Sequence, residues 1–193
     1  KKAFAEYTAA YNADDPKIKL KIDHTYRVAA LCERIAKAAG MCAYDVELAW
    51  LSGMLHDVGR FEQIKRYNTF SDADSVDHAK FGADLLFKDG LISTFLNGMV
   101  KCTGYKPGAL EDRYSSDGVF LYDRLNKSDM EMLELAIRCH NMYRIPQGLN
   151  RREQAFCNVL RDTFNGRSGQ SITPFRRSRN SGITSLILSA INT

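Results

Sequence analysis

The sequence predicts an all-α fold, a single domain of six or seven helices. Three observations carry that expectation. Apolar residues recur at helical spacing along nearly the whole body of the chain. Gly and Pro number only 13 and 4 in 193 residues, and no segment alternates for long in the manner of a strand. A hydrophobic fraction of 45% with 26% charged residues suits one globular domain with a substantial core.

The first residues, "KKAFAEYTAAYNADD", hold no continuous apolar run and do not read as a signal peptide. The chain starts without Met, so residues ahead of Lys1 are expected. In "DHTYRVAALCERIAKAAG" the residues Val28, Leu31, Cys32, Ile35 and Ala39 form one stripe, and Gly40 stops it. "YDVELAWLSGMLHD" repeats the period through Val46, Ala49, Trp50 and Gly53 to His56 or Asp57. "SDADSVDHAKFGADLLF" opens with capping residues and aligns His78, Phe81, Gly82 and Leu85. "LISTFLNGMV" reads as a short buried helix and "KCTGYKPG" as a loop. "SDMEMLELAIRCHNMY" offers Ser128 with Glu131 as a capping box and aligns Leu133, Ile137 and His140. After the breaker "RIPQG", "NRREQAFCNVLRD" pairs Asn150 with Glu153 as a cap and sets Ala155, Val159 and Asp162 on one face.

The predicted domain is therefore residues 1–162. Residues 163–193, rich in Ser, Gly, Asn and Arg and without helical spacing, read as an irregular tail in which "LILSAI" could dock. All of the net charge of +4 sits there, in Arg167, Arg176, Arg177 and Arg179, while the preceding residues are neutral overall. The folded body thus gives no electrostatic sign of nucleic-acid binding, and "PFRRSR" with Phe175 in the tail is weak support for it. Five cysteines (Cys32, Cys42, Cys102, Cys139, Cys157) form no C-x-x-C pair, which suits reduced thiols in a reducing compartment. The longest late apolar run is too short to span a bilayer, and a cytoplasmic location is expected.

"LSGMLHDVGRFEQ", residues 51–63, sets His56 and Asp57 side by side where an apolar helix is expected to stop at Gly59. The chain has four histidines, His24, His56, His78 and His140, and each falls on the apolar stripe of a different predicted helix. One such histidine is ordinarily a core residue bonded to a carbonyl. Four of four point to a metal, because helices facing one axis bring imidazoles within the roughly 2 Å that metal bonds require. Asp57 adds a hard oxygen. Histidine with carboxylate suits Fe, Mn, Zn or Mg more than a thiolate site would.

Taken in order, "HTYRVA", "LSGMLHDVGRF", "VDHAKFGADLLF" and "CHNMYRIP" resemble the HD-domain superfamily of metal-dependent phosphohydrolases, and above all its small bacterial members of unassigned substrate. The resemblance covers roughly residues 20–162. It implies an HD-domain-like helical bundle in which His24, His56 and Asp57 hold one divalent metal. His78 and His140 match members with a second metal, bridged by Asp57. Such proteins close the site with the second Asp of a late Arg-Asp-x-Asp-Lys. Here "LRDTFN" retains Arg161 and Asp162 but has Phe164 and Asn165 at the next two matched positions. Either Asp162 serves as ligand or a ligand is lost. The change of composition one residue later suggests that family-like sequence ends there, for instance through a change of reading frame.

The expected activity is cleavage of a phosphate ester of a small metabolite, with a nucleotide as leading class, by water activated on one or two ions (Mn, Fe, Mg, Zn or Ni). Asp57 would orient the nucleophile. Arg60 beside it is the second catalytic candidate, and Arg60, Lys65, Arg66 and Arg144 are candidate phosphate-binding cations. Lys65 and Arg66 read equally well as solvated surface. Glu62 is either a proton acceptor or an exposed acid; Asp23 and Asp77 either orient imidazoles or mark helix starts. Tyr26, Tyr67, Tyr105 and Tyr143 stack on a base or belong to the core. The alternatives are a di-iron oxygenase on the same scaffold and a non-catalytic regulatory or binding domain with an incomplete metal site. Expected partners are a small phosphorylated substrate and, as an open option, a second copy of the chain; no membrane is implied.

Overall fold

The computed structural model describes residues 1–12, 14–96 and 125–165. They form the helices α1 (Lys2–Thr8), α2 (Pro16–Ala38), α3 (Ala43–Leu55), α4 (Val58–Tyr67), α5 (His78–Ala83), α6 (Lys127–Arg138) and α7 (Arg151–Asn165). A widened π turn, Asp84–Lys88, prolongs α5, and residues 92–96 form a further helical run. No strand occurs among the described residues. Tyr105, Cys102, the whole expected loop at 101–108, the end of "LISTFLNGMV" and the basic tail beyond residue 165 lie outside them.

The long helix α2 is started by Asp15, whose side chain accepts the Lys17 backbone N–H, and by Pro16 in its first turn. It ends before Gly40, which takes the left-handed φ of +69°. Its neighbour α3 packs along it at Gly53, where a Cβ would stand 2.7 Å from the Ala29 Cα. The core gathers around this pair. Cys32 and Ile35 of α2, Leu48, Leu51 and Leu55 of α3, Phe61 of α4, Leu86, Leu133 and Ile137 of α6, and Phe156 and Leu160 of α7 are all buried. At ~25 cal/mol per Å² of apolar surface, such side chains are the main source of stability.

Three expectations need correction. Gly59 does not stop a helix. Only His56 and Asp57, the latter at φ −104° and ψ 16°, separate α3 from α4, and Gly59 lies inside the first turn of α4. Its role is contact: a Cβ there would stand 2.4 Å from the His78 carbonyl oxygen and 2.7 Å from Gly82 N. The capping box of α6 is Asn126 with Asp129, two residues earlier than Ser128 with Glu131. Tertiary contacts explain the shift, since the buried Asp129 also accepts from Tyr44 of α3 and from Arg152 of α7 at 2.7 Å. Finally, the buried stripe of α5 is not the expected one, since Phe81 and Leu85 are only partly buried. Asp77 caps α5 directly, and the buried positions are His78, Ala79, Gly82 and Ala83, with Leu86 following. The Asn150–Glu153 box at the start of α7 is present as expected.

Helix α1 has no counterpart in the sequence expectations. Phe4 packs edge-on against Tyr26 and Phe61, and the Tyr7 hydroxyl donates to the Val58 carbonyl at 3.3 Å. Tyr11 donates to Glu62 at 2.8 Å. Burial pushes the Tyr7 phenol up to about 12, so it keeps its proton at physiological pH. Of the described cysteines, Cys32, Cys139 and Cys157 are buried free thiols and Cys42 is exposed. No described helix is long and apolar enough to cross a membrane.

The crossing of α4 over α5 gives a direct prediction. Gly59→Ala is expected to cost about 1–3 kcal/mol, the usual penalty of forcing an extra methyl into a full site, and thermal unfolding measures it. An unchanged Tm would mean that the two backbones do not meet this closely.

Candidate metal centre

Asp57 is the centre of the site. Its side chain is 2% exposed, and four histidines from four chain segments surround it: His24 from α2, His56 at the end of α3, His78 opening α5 and His140 in the turn after α6. They divide between its two oxygens. His24 Nε2 and His56 Nε2 lie 3.5 and 3.4 Å from Oδ2, whereas His78 Nε2 and His140 Nε2 lie 3.6 and 3.7 Å from Oδ1. Within each pair the two Nε2 atoms are 3.3 Å apart (His24, His56) and 3.1 Å apart (His78, His140).

The ring nitrogens on the far sides fix what these Nε2 atoms are. Carbonyl oxygens only accept, so His56 Nδ1–H donates to Gly53 O at 2.7 Å and His140 Nδ1–H donates to Ile137 O at 2.6 Å. His78 Nδ1 meets Asp72 Oδ2 at 2.6 Å and donates there. Burial, aided by charge from His140 and Arg60, lowers the His78 pKa to about 4 against the opposing pull of Asp57. Burial likewise lowers His56. The His56 and His78 rings are therefore neutral near pH 7, and each turns its Nε2 lone pair inward. His78 and His140 face each other through their Nε2 atoms at 3.1 Å, and a cation between them and Asp57 Oδ1 would be held by both.

The dimensions fit such a cation. The donor triangles His24–His56–Asp57 and Asp57–His78–His140 have sides of 3.3 to 3.5 Å and 3.1 to 3.7 Å. The point equidistant from the three corners of either triangle is about 2.0 Å from each, the length of a metal–imidazole or metal–carboxylate bond. Both sets group donors that could hold an ion.

Asp57 itself remains ionised. Burial alone would raise its pKa, but the positive charge and hydrogen bonds gathered around it, the Lys21 ammonium among them, outweigh it and hold the carboxyl well below the usual range. Lys21 is a residue that sequence reasoning missed. Its ammonium donates to Asp57 Oδ2 at 2.8 Å and lies 5.1 Å from the centre of the Phe70 ring. The available signal was its place one turn before His24 on the same helix face.

A second missed residue is Asp72. Asp77, the residue adjoining His78, caps α5, pairs with Lys80 and accepts from Asn141, so the imidazole is oriented by Asp72 instead. Asp72 is held by Arg60 Nη1 at 2.7 Å and by Gln63 Nε2 at 3.1 Å. Arg60 Nη1 also donates to the Phe70 carbonyl at 2.6 Å. The buried Gln63 ties in Ser75 and the Val76 carbonyl. Arg60 Nε is buried without a hydrogen-bond partner and lies 3.9 Å from Asp57 Oδ1.

The other candidates lie farther out. Lys65 and Arg66 are exposed and pair with Glu62, the partner of Tyr11. Arg144 and Tyr143 are exposed in the turn beyond His140, Tyr143 to 92%. Asp23 is exposed; Tyr67 is partly exposed, whereas Tyr26 packs on Phe4. Asp162 is half-buried on α7, its pKa raised by burial against the charge of Arg161, and it belongs to neither donor triangle.

Asp72→Asn is expected to weaken one of two bound ions by about tenfold, the lower end for loss of a ligand's outer partner, and to leave the other unchanged. Metal titration with both affinities resolved checks this; equal weakening of both, or of neither, would contradict the assignment.

No curated protein and no solved structure gives a significant match to the chain. The family model described as the HD domain matches residues 22–162, a span that takes in all four histidines, Asp57 and Asp162. The chain belongs to the HD domain family.

Proposed function

We propose that the protein is a metal-dependent phosphohydrolase that cleaves the phosphate ester of a small metabolite, with nucleotides as the leading substrate class. Members of the HD family are mostly metal-dependent hydrolases. The observation that carries the proposal is the division of one buried carboxylate between two histidine pairs, each with bond-length dimensions for an ion. When bound, divalent ions make water nucleophilic near neutral pH and neutralise phosphoryl charge.

The chain's own residues supply the rest. His24, His56, His78 and His140 would hold the ions through their Nε2 atoms, with Asp57 supplying its two oxygens. Asp57 also orients the attacking water as a hydrogen-bond acceptor. Arg60 is the cation best placed for a phosphoryl oxygen, because its Nε is buried without a hydrogen-bond partner and lies 3.9 Å from Asp57 Oδ1. Its Nη1 anchors the loop that carries Asp72 and thereby steadies His78. Lys65, Arg66 and Arg144 lie outside this ring and would meet only the outer part of an extended substrate. Asp162 is the reserve carboxylate for an ion that needs a further ligand.

Phosphate release from a panel of nucleoside monophosphates and simple phosphomonoesters, with Mn, Fe, Mg, Zn or Ni supplied, tests the reading. His56→Ala is expected to lose activity by about a hundredfold or more, at least the loss that follows from disturbing a ligand's outer partner. Release that persists at the wild-type rate in that variant would overturn the proposal. Bound iron with oxygen uptake and no phosphate release would favour a di-iron oxygenase instead, for which four histidines and a carboxylate are also a suitable donor set.

A further inference from the structure

The ammonium group of Lys21 occupies a position the hydrolytic reading does not use. It is bonded at 2.8 Å to Asp57 Oδ2, the same oxygen that faces His24 and His56. Its side chain is 17% exposed, and the Phe70 ring flanks it at 5.1 Å. Phe70 is in turn pinned through its carbonyl by Arg60. Among the described residues the other oxygen, Oδ1, has no ammonium partner, and Arg60 Nε lies 3.9 Å from it. The two ends of the carboxylate are thus electrostatically unequal.

We propose that Lys21 is a resident cation of the first ion position, which neutralises Asp57 when that position is empty and sets a lower affinity there than a bare donor triangle would have. The inference rests on the reading of the two histidine pairs as ion positions. A divalent ion reaching Oδ2 must share that oxygen with the ammonium or displace it. Either way it enters beside a fixed positive charge in a buried setting, where like-charge repulsion is strong. The second position, on Oδ1, lacks this competitor. Lys21 therefore makes the two positions fill in order: His78–His140 first, His24–His56 later. It acts on the metal through Asp57 and is a positioning residue.

The experiment is calorimetric titration of metal-free protein with Mn, for the wild type, Lys21→Gln, Lys21→Arg and His56→Ala. Lys21→Gln keeps a hydrogen-bond donor and removes only the charge. It is expected to tighten the weaker of the two sites by about tenfold or more, to change the tighter site little, and to enlarge the metal-induced gain in Tm. Lys21→Arg, which restores the charge, should return the wild-type affinities. His56→Ala should abolish the weaker site. A Lys21→Gln protein whose weaker site is unchanged or weakened, with His56→Ala behaving as stated, would overturn the role of Lys21 and leave the ion positions standing. Unaltered Mn binding in His56→Ala would remove the ion positions, and the inference with them. A lysine serving only the stability of the fold would lower Tm without tightening either site.

Discussion

A carboxylate with almost no contact with water has to be matched by positive charge or hydrogen-bond donors, and the whole arrangement follows from meeting that need at Asp57. Lys21 meets part of it from α2. The four imidazoles stand around the same group, but at least three of them have spent their Nδ1 protons on Gly53, Ile137 and Asp72. They offer lone pairs where a buried anion would favour donors. Bound cations would reverse this conflict, since the same nitrogens and the same carboxylate would become ligands.

The scaffold serves this centre in layers. Helices α2 and α3 approach closely at Gly53 and set His24 against His56. A two-residue break at His56 and Asp57 turns the chain into α4 without moving the carboxylate out of the core. Gly59 against Gly82 then lets α5 cross near enough for His78 to face the other oxygen. Outside these contacts, Arg60, Gln63 and Asp72 lock the loop before α5. On the far side, the buried Asp129 gathers Tyr44 and Arg152 and fixes α6, at whose end His140 stands, to α3 and α7.

The helices and the five central donors were legible because their signals are periodic or local. Helical spacing marked α2, α3, α6 and α7, and four histidines on apolar stripes gave away a shared centre. The donors held in place by tertiary contact were not legible. Nothing in "SDADSVD" distinguishes Asp72 from Asp74 or Asp77 until Arg60 and Gln63 select it. Gly59 was misread because a glycine that permits close approach looks, in sequence, like one that ends a helix. The cap of α6 shifted to Asn126 because Asp129 has partners on two other helices. Lys21 carried a positional signal, one turn ahead of His24, that becomes meaningful only when Asp57 is seen beside it.

The central claim is that this site is built for two ions sharing one carboxylate. Metal content per chain, measured by elemental analysis of untagged protein purified without chelators, tests it most directly. The account predicts about two transition-metal ions per chain, as in dinuclear hydrolytic sites. A folded protein that remains free of metal after Mn or Fe has been supplied would contradict it.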